Sequence, residues 1–170
     1  MKSILDQKYF WFLIFFIFII FIRLYLAISI EVISWDEATY ILAGREILLG
    51  YMPYESMYEM KPPLIYYIYS IPLYFHQSLE SVRIYGTFCI FISSILIYEV
   101  LVRFIESKIA ALGSLVFISL MNYYFWLETS SEIVALPFFL LSFIFFLNYQ
   151  KSKINLIFSA FFLSISTLIR

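Results

Sequence analysis

Asp36 and Glu37 stand side by side after the first long apolar run of this chain, and Arg45, Lys61 and Arg83 follow them. The stretch reads W-D-E-A-T-Y-I-L-A-G-R-E, then P-Y, then M-K-P-P-L, then V-R. A carboxylate can take a proton from an attacking hydroxyl, and a cation can hold the charge that develops on a departing phosphate. Acids followed by cations just beyond a membrane span are the layout expected where a lipid phosphate is handled. These residues point to an integral-membrane enzyme with a lipid-linked substrate.

Two short helices must position them. Ser34 and Glu37 have capping-box spacing, so a helix is expected over 36–49, ended by Leu49-Gly50 and a turn at Pro53. Tyr40, Ala43 and Ile47 share a face with Asp36. At a helix N-terminus the dipole favours ionised Asp36, and Trp35 suits an interfacial anchor. By spacing alone, capping and solvation account for Asp36 and Glu37 as well as catalysis does. Lys61-Pro62-Pro63 opens a second helix over 63–76, with Leu64, Ile68, Ile71 and Phe75 as its expected buried stripe. Free N–H groups at that helix start can hold phosphate oxygens beside Lys61.

Arg83 can fork two hydrogen bonds to a phosphate, although taken alone it reads as a snorkelling cation. Arg23 lies within the first span, where a charge needs a cavity or a partner, and a loop carboxylate is the expected one. Glu99 and Arg103 have the spacing of a structural pair on one helix. His76, the only histidine, reads as a polar interface residue, because a metal site would need more ligands of its kind.

The chain is 64% hydrophobic and 22% aromatic, well above the apolar content of soluble domains. With several runs near the span length, the expected class is all-α: a polytopic transmembrane helical protein with two surface helices in its first outer loop. Cys89 is the one cysteine, so no disulfide framework or thiolate metal site can form, and no basic patch suggests nucleic acid. The first run is too long for a signal peptide and is read as a retained span.

Lys2 and Lys8 place the N-terminus in the cytoplasm. The loop 31–80 is then outside and rich in carboxylates. The apolar piece Leu64–Phe75 is interrupted by Pro72 and is too short to span. Laid flat, it lets Arg103, Lys108, Lys151 and Lys153 all face the cytoplasm. The expected spans are about 9–30, 81–102, 109–127, 133–149 and 154–170. Glu128 and Glu132 then share the side of Asp36.

The order D-E-x-x-Y-x-x-x-x-R-E, K-P-P-L, V-R resembles membrane glycosyltransferases of the C-type fold, in particular the protein O-mannosyltransferase and lipid A aminoarabinose transferase group. Asp36, Glu37, Tyr40, Arg45, Glu46, Lys61–Leu64 and Val82-Arg83 carry the likeness. Met60 stands where the aminoarabinose transferases have an acid, with Glu59 one step back. The resemblance implies transfer of a sugar from a polyprenyl-phosphate-linked donor to an acceptor hydroxyl of a protein, lipid or glycan. The reaction would run with inversion at the outer face of the plasma membrane.

Asp36 would be the general base, with Glu37 beside it. Lys61 and Arg83 would stabilise the lipid phosphate, while Arg45 either assists or orients Glu37. Glu128 or Glu132 would be the second acidic position. Arg23 and Tyr40 would give structural support. Some relatives bind a divalent metal near these acids and others work without one, and the sequence leaves both open. Family members are several-fold longer, and Arg170 falls at the rim of a span, as expected for the N-terminal part (1–170) of such a protein. The alternatives are a non-catalytic membrane fragment and a transporter-like subunit. Against the transporter, the ionisable groups other than Arg23 cluster at the outer surface rather than at mid-membrane.

Overall fold

The computed structural model describes residues 4–29, 34–55, 60–124 and 128–170, and every regular element among them is helical. The first helix comprises α1 (Ile4–Ile19), a π-helical turn (Ile20–Leu24) and α2 (Tyr25–Ser29). Then come α3 (Trp35–Leu48), α4 (Leu64–Phe75), α5 (Leu79–Leu101), α6 (Ser107–Tyr124), α7 (Ser131–Leu147) and α8 (Ile154–Ile169). The segments expected as spans and as surface helices are helical over most of their described residues.

Two runs, Gln7–Ser29 and Leu79–Leu101, are long and apolar enough to cross a membrane. The apolar helices α6, α7 and α8 are shorter. The 17 residues of α7 rise about 26 Å, a little under the ~30 Å hydrocarbon core. The bundle has an inverted polarity. Phe10, Phe21, Phe88, Ile157 and Phe161 are exposed, while Arg23, Glu37, Arg83 and Ser93 are fully buried. Charged groups buried beside an apolar core, with large apolar side chains outside, suit a bundle whose solvent is lipid.

The π turn has a mechanical role. Phe15, Ile19, Arg23 and Ala27 are all buried, at every fourth position of the first helix. In a pure α-helix such positions drift by roughly 40° per step. A π turn winds less per residue and cancels the drift, so Arg23 and Ala27 stay on the inner face.

α5 is the central element, packing against the first helix, α4, α6 and α7. Beside it, α3 and α4 form a tight antechamber. Gly44 lies so close to α4 that a Cβ there would stand 3.1 Å from the Ser70 backbone nitrogen. Any side chain there would press on the α4 backbone and on Leu73. Gly50, at φ 97°, ends α3 in a Schellman closure: its N–H donates to Ile47 O and that of Tyr51 to Glu46 O.

The packing corrects two expectations. α4 does not bury the stripe Leu64, Ile68, Ile71 and Phe75. Ile65, Tyr66, Ile68, Tyr69, Pro72 and Leu73 are inside, whereas Ile71 and Phe75 are exposed. The inner face is the one that carries Tyr66 and Tyr69, whose hydroxyls reach the Lys61 and Thr129 carbonyls, while Tyr67 and Tyr74 lie outside. The pair expected between Glu99 and Arg103 is also absent as drawn. The Glu99 carboxylate pairs with Lys8 across the bundle, and Arg103 Nε donates to the Glu99 carbonyl.

Gly44→Val should therefore force α3 and α4 apart and destabilise the protein by about 1–3 kcal/mol. Thermal unfolding in detergent checks this, and an unchanged midpoint would contradict the close crossing.

Candidate functional site

The acidic pair splits. Ser34 caps α3, and its hydroxyl accepts from the Glu37 N–H at 3.2 Å. A complete capping box would send the Glu37 side chain back to the Ser34 N–H. Instead, that side chain turns into the bundle and is 0% exposed. Asp36, one residue earlier, is exposed in the first turn. Adjacent helical residues point about 100° apart, so one acid faces inward while the other faces out.

Glu37 is held from two sides. Arg83 Nη2 donates to Oε2 at 3.2 Å, and the Thr129 N–H donates to Oε1 at 2.9 Å. Arg83 also donates through Nη1 to the Ala27 carbonyl at 3.0 Å. The fork expected to grip a phosphate is thus closed on Ala27 and Glu37. The outer edge of Arg83 borders a cavity of about 370 Å³, shared with His76, Ser78 and Glu80.

Thr129 is the crossing point of the site. Its N–H reaches α3, its hydroxyl donates to Val82 O on α5 at 3.1 Å, and its carbonyl accepts the Tyr69 hydroxyl from α4. Gly86 makes room, because a Cβ there would collide with the Thr129 side chain. Burial first, and the Glu37 charge next, push the Tyr69 phenol well above the ordinary tyrosine value, so it stays a donor. Tyr40, the expected support residue, is buried with its ring 5.2 Å from that of Tyr69.

Arg23 and Arg45 both fasten elements together. Arg23, expected to meet a loop carboxylate, is held by groups at and beyond the end of α6. It donates to Met121 O and Asn122 Oδ1, each at 3.4 Å, and to Glu128 O at 3.1 Å. The end of α6 leaves carbonyls without helical partners, and a buried guanidinium supplies donors for several at once. Arg45 does not orient Glu37. Its Nη2 donates to Gln77 O at 3.1 Å, fastening α3 to the turn between α4 and α5.

The Glu37–Thr129 contact joins the starts of α3 and α7. Asp36 and Glu132 therefore lie on the two elements that meet there. Ser130 caps α7, accepting from the Ile133 N–H. Burial pushes the Glu132 carboxyl up, but its own N–H, the Ser130 and Ser131 hydroxyls and the Lys61 ammonium together hold it below the usual carboxylate range. The Lys61 charge is thus felt at Glu132, although 71 positions separate them in sequence. Glu128 contributes its carbonyl to Arg23. Among the described residues, no three His, Cys, Asp or Glu side chains converge into a metal-holding group.

Sequence reasoning missed Thr129, Tyr69 and Gly86. The scarcity of glycine, with four in the chain, was the one available signal for Gly86.

Removing one partner of a buried ion pair strands the other charge and costs about 3–5 kcal/mol. Glu37→Gln and Arg83→Met should each destabilise by that order, and the double variant by clearly less than their sum. Denaturation in detergent measures the coupling; strictly additive losses would contradict it.

No family model, curated protein or solved structure matches this chain.

Proposed function

We propose that this chain is a membrane glycosyltransferase that takes a sugar from a polyprenyl-phosphate carrier, with Asp36 as general base. The observation that carries the proposal is the division of labour in the acidic pair. Glu37 is fully buried and ion-paired, while Asp36 is exposed on a helix start that this pair anchors. An exposed carboxylate on a rigid mount is what proton abstraction from an incoming hydroxyl needs.

In the proposed step, the acceptor oxygen attacks the anomeric carbon and its proton passes to Asp36. The bond from that carbon to the carrier phosphate oxygen breaks, and polyprenyl phosphate leaves with the electron pair. A single displacement inverts the anomeric centre. Lys61 stabilises the leaving phosphate. Glu132 is the second acid. Arg83 acts through Glu37 by holding α3 in place, and Arg23 does the same for the segment that carries Thr129 and Glu132.

The membrane setting is supported by the two span-length helices and by the outward-facing apolar side chains. The lysine and arginine distribution supports a polytopic chain in the cell membrane, N-terminus in the cytoplasm and Asp36 on the outer side. The acceptor is a hydroxyl of a protein, lipid or glycan.

Asp36→Asn should lower transfer roughly 10²–10⁴-fold while leaving membrane insertion and thermal midpoint unchanged. Lys61→Ala should mainly weaken use of the lipid donor. Transfer assays with a polyprenyl-phosphate sugar in vesicles test both. Full activity in Asp36→Asn would remove Asp36 as the base, and would favour a non-catalytic role for this region.

A further inference from the structure

Lys61 is held by its backbone, by a pair of tyrosines. The Tyr54 hydroxyl donates to the Lys61 carbonyl at 2.6 Å, and the Tyr66 hydroxyl donates to the same oxygen at 3.3 Å. The two rings meet edge-on, with centroids 5.9 Å apart. Tyr66 is buried on α4 and lies 6.3 Å from the ring of Tyr40 on α3. The Lys61 carbonyl is therefore tied through aromatic contacts to the same helix that presents Asp36.

Tyr54 itself is the unusual member. It adopts φ 71°, in the left-handed region, where a side chain with a Cβ is disfavoured. Such a conformation persists only where surrounding contacts determine it, and those residues concentrate at ligand clamps. Here the contacts are the hydroxyl bond to Lys61 and the ring of Tyr66. Fixing the backbone of a lysine limits the volume its four-carbon stem can sweep.

We propose that Tyr54 is a positioning residue: it fixes the backbone of Lys61 so that the ammonium meets the phosphate of a polyprenyl carrier. The proposal rests on the phosphate role given to Lys61 above and deepens it. Tyr54 touches neither the reacting carbon nor the acceptor hydroxyl. Its contribution is to carrier binding and not to the chemical step.

The test reads Lys61 directly. The protein is placed in phosphatidylcholine vesicles, and acetylation of Lys61 by an amine-reactive reagent is followed by mass spectrometry, with or without undecaprenyl phosphate. In the wild type the lipid should slow acetylation of Lys61. In Tyr54→Phe, which keeps the ring pair, about fivefold more lipid should be needed for the same protection, in line with the loss of one hydrogen bond. Tyr66→Phe, whose bond is longer, should show about a twofold shift. Tyr54→Gly accepts the left-handed backbone without strain but lacks the hydroxyl, and should lose protection as Tyr54→Phe does. It serves as the second variant should Tyr54→Phe prove unstable.

Equal protection in the wild type and both Tyr54 variants would overturn the role of Tyr54 and leave Lys61 untouched. Failure of undecaprenyl phosphate to protect wild-type Lys61 would overturn the phosphate role itself, and this proposal with it. Inorganic phosphate at the same concentration should protect weakly; protection equal to that by the lipid would contradict a carrier site.

Discussion

The buried contact among Glu37, Arg83 and Thr129 is the constraint on which the rest of the molecule depends. It joins α3, α5 and the start of α7 through one carboxylate. Through Ala27 it also reaches the end of the first helix, and through the Tyr69 hydroxyl it reaches α4. Charges out of water are costly unless fully partnered, so each group in this cluster admits few alternative positions. A hydrophobic contact of similar size would tolerate sliding. The ion pair and its bonds do not, and the starts of α3 and α7 inherit their fixed relation from it.

The surrounding bundle makes that constraint effective. Apolar side chains cover its outside, and the inside holds the arginines, the glutamate and several hydroxyls. In such surroundings the lost interaction of any one polar group has no water to replace it. The π turn in the first helix and the glycines at 44 and 86 serve the same end. Each lets backbone approach closely: the first helix toward α5, α3 toward α4, and α5 toward Thr129. Function, as proposed, sits just outside this cluster, on residues that the cluster orients but does not bury.

Most of the helices were legible in the sequence as apolar runs, and α3 was legible from the signals at its two ends. The serine cap of α3 and the glycine that ends it could both be named from spacing. What could not be read was the destination of side chains. Ser34 and Glu37 look like a capping box, yet the partner that captures Glu37 is 46 residues away. On α4 the inner face is the one that carries Tyr66 and Tyr69, whose hydroxyls meet the Lys61 and Thr129 carbonyls, and the expected aliphatic stripe did not single it out. That Arg23 needs partners follows from its depth in the first span. That these are the carbonyls near the end of α6 follows only from packing. Asp36 and Lys61 were readable as candidates because their types and order are distinctive. Thr129 carries no such mark, although three elements meet on it.

The central claim is that the exposed acid on this anchored helix start serves chemistry on a carrier-linked sugar. The most direct test is to incubate the protein in vesicles with polyprenyl-phosphate sugars and acceptor hydroxyls, and to measure the release of polyprenyl phosphate. The account predicts release coupled one-to-one to sugar transfer, with an inverted anomeric centre in the product. A folded protein that leaves every carrier-linked sugar intact, or that transfers with retained configuration, would contradict it.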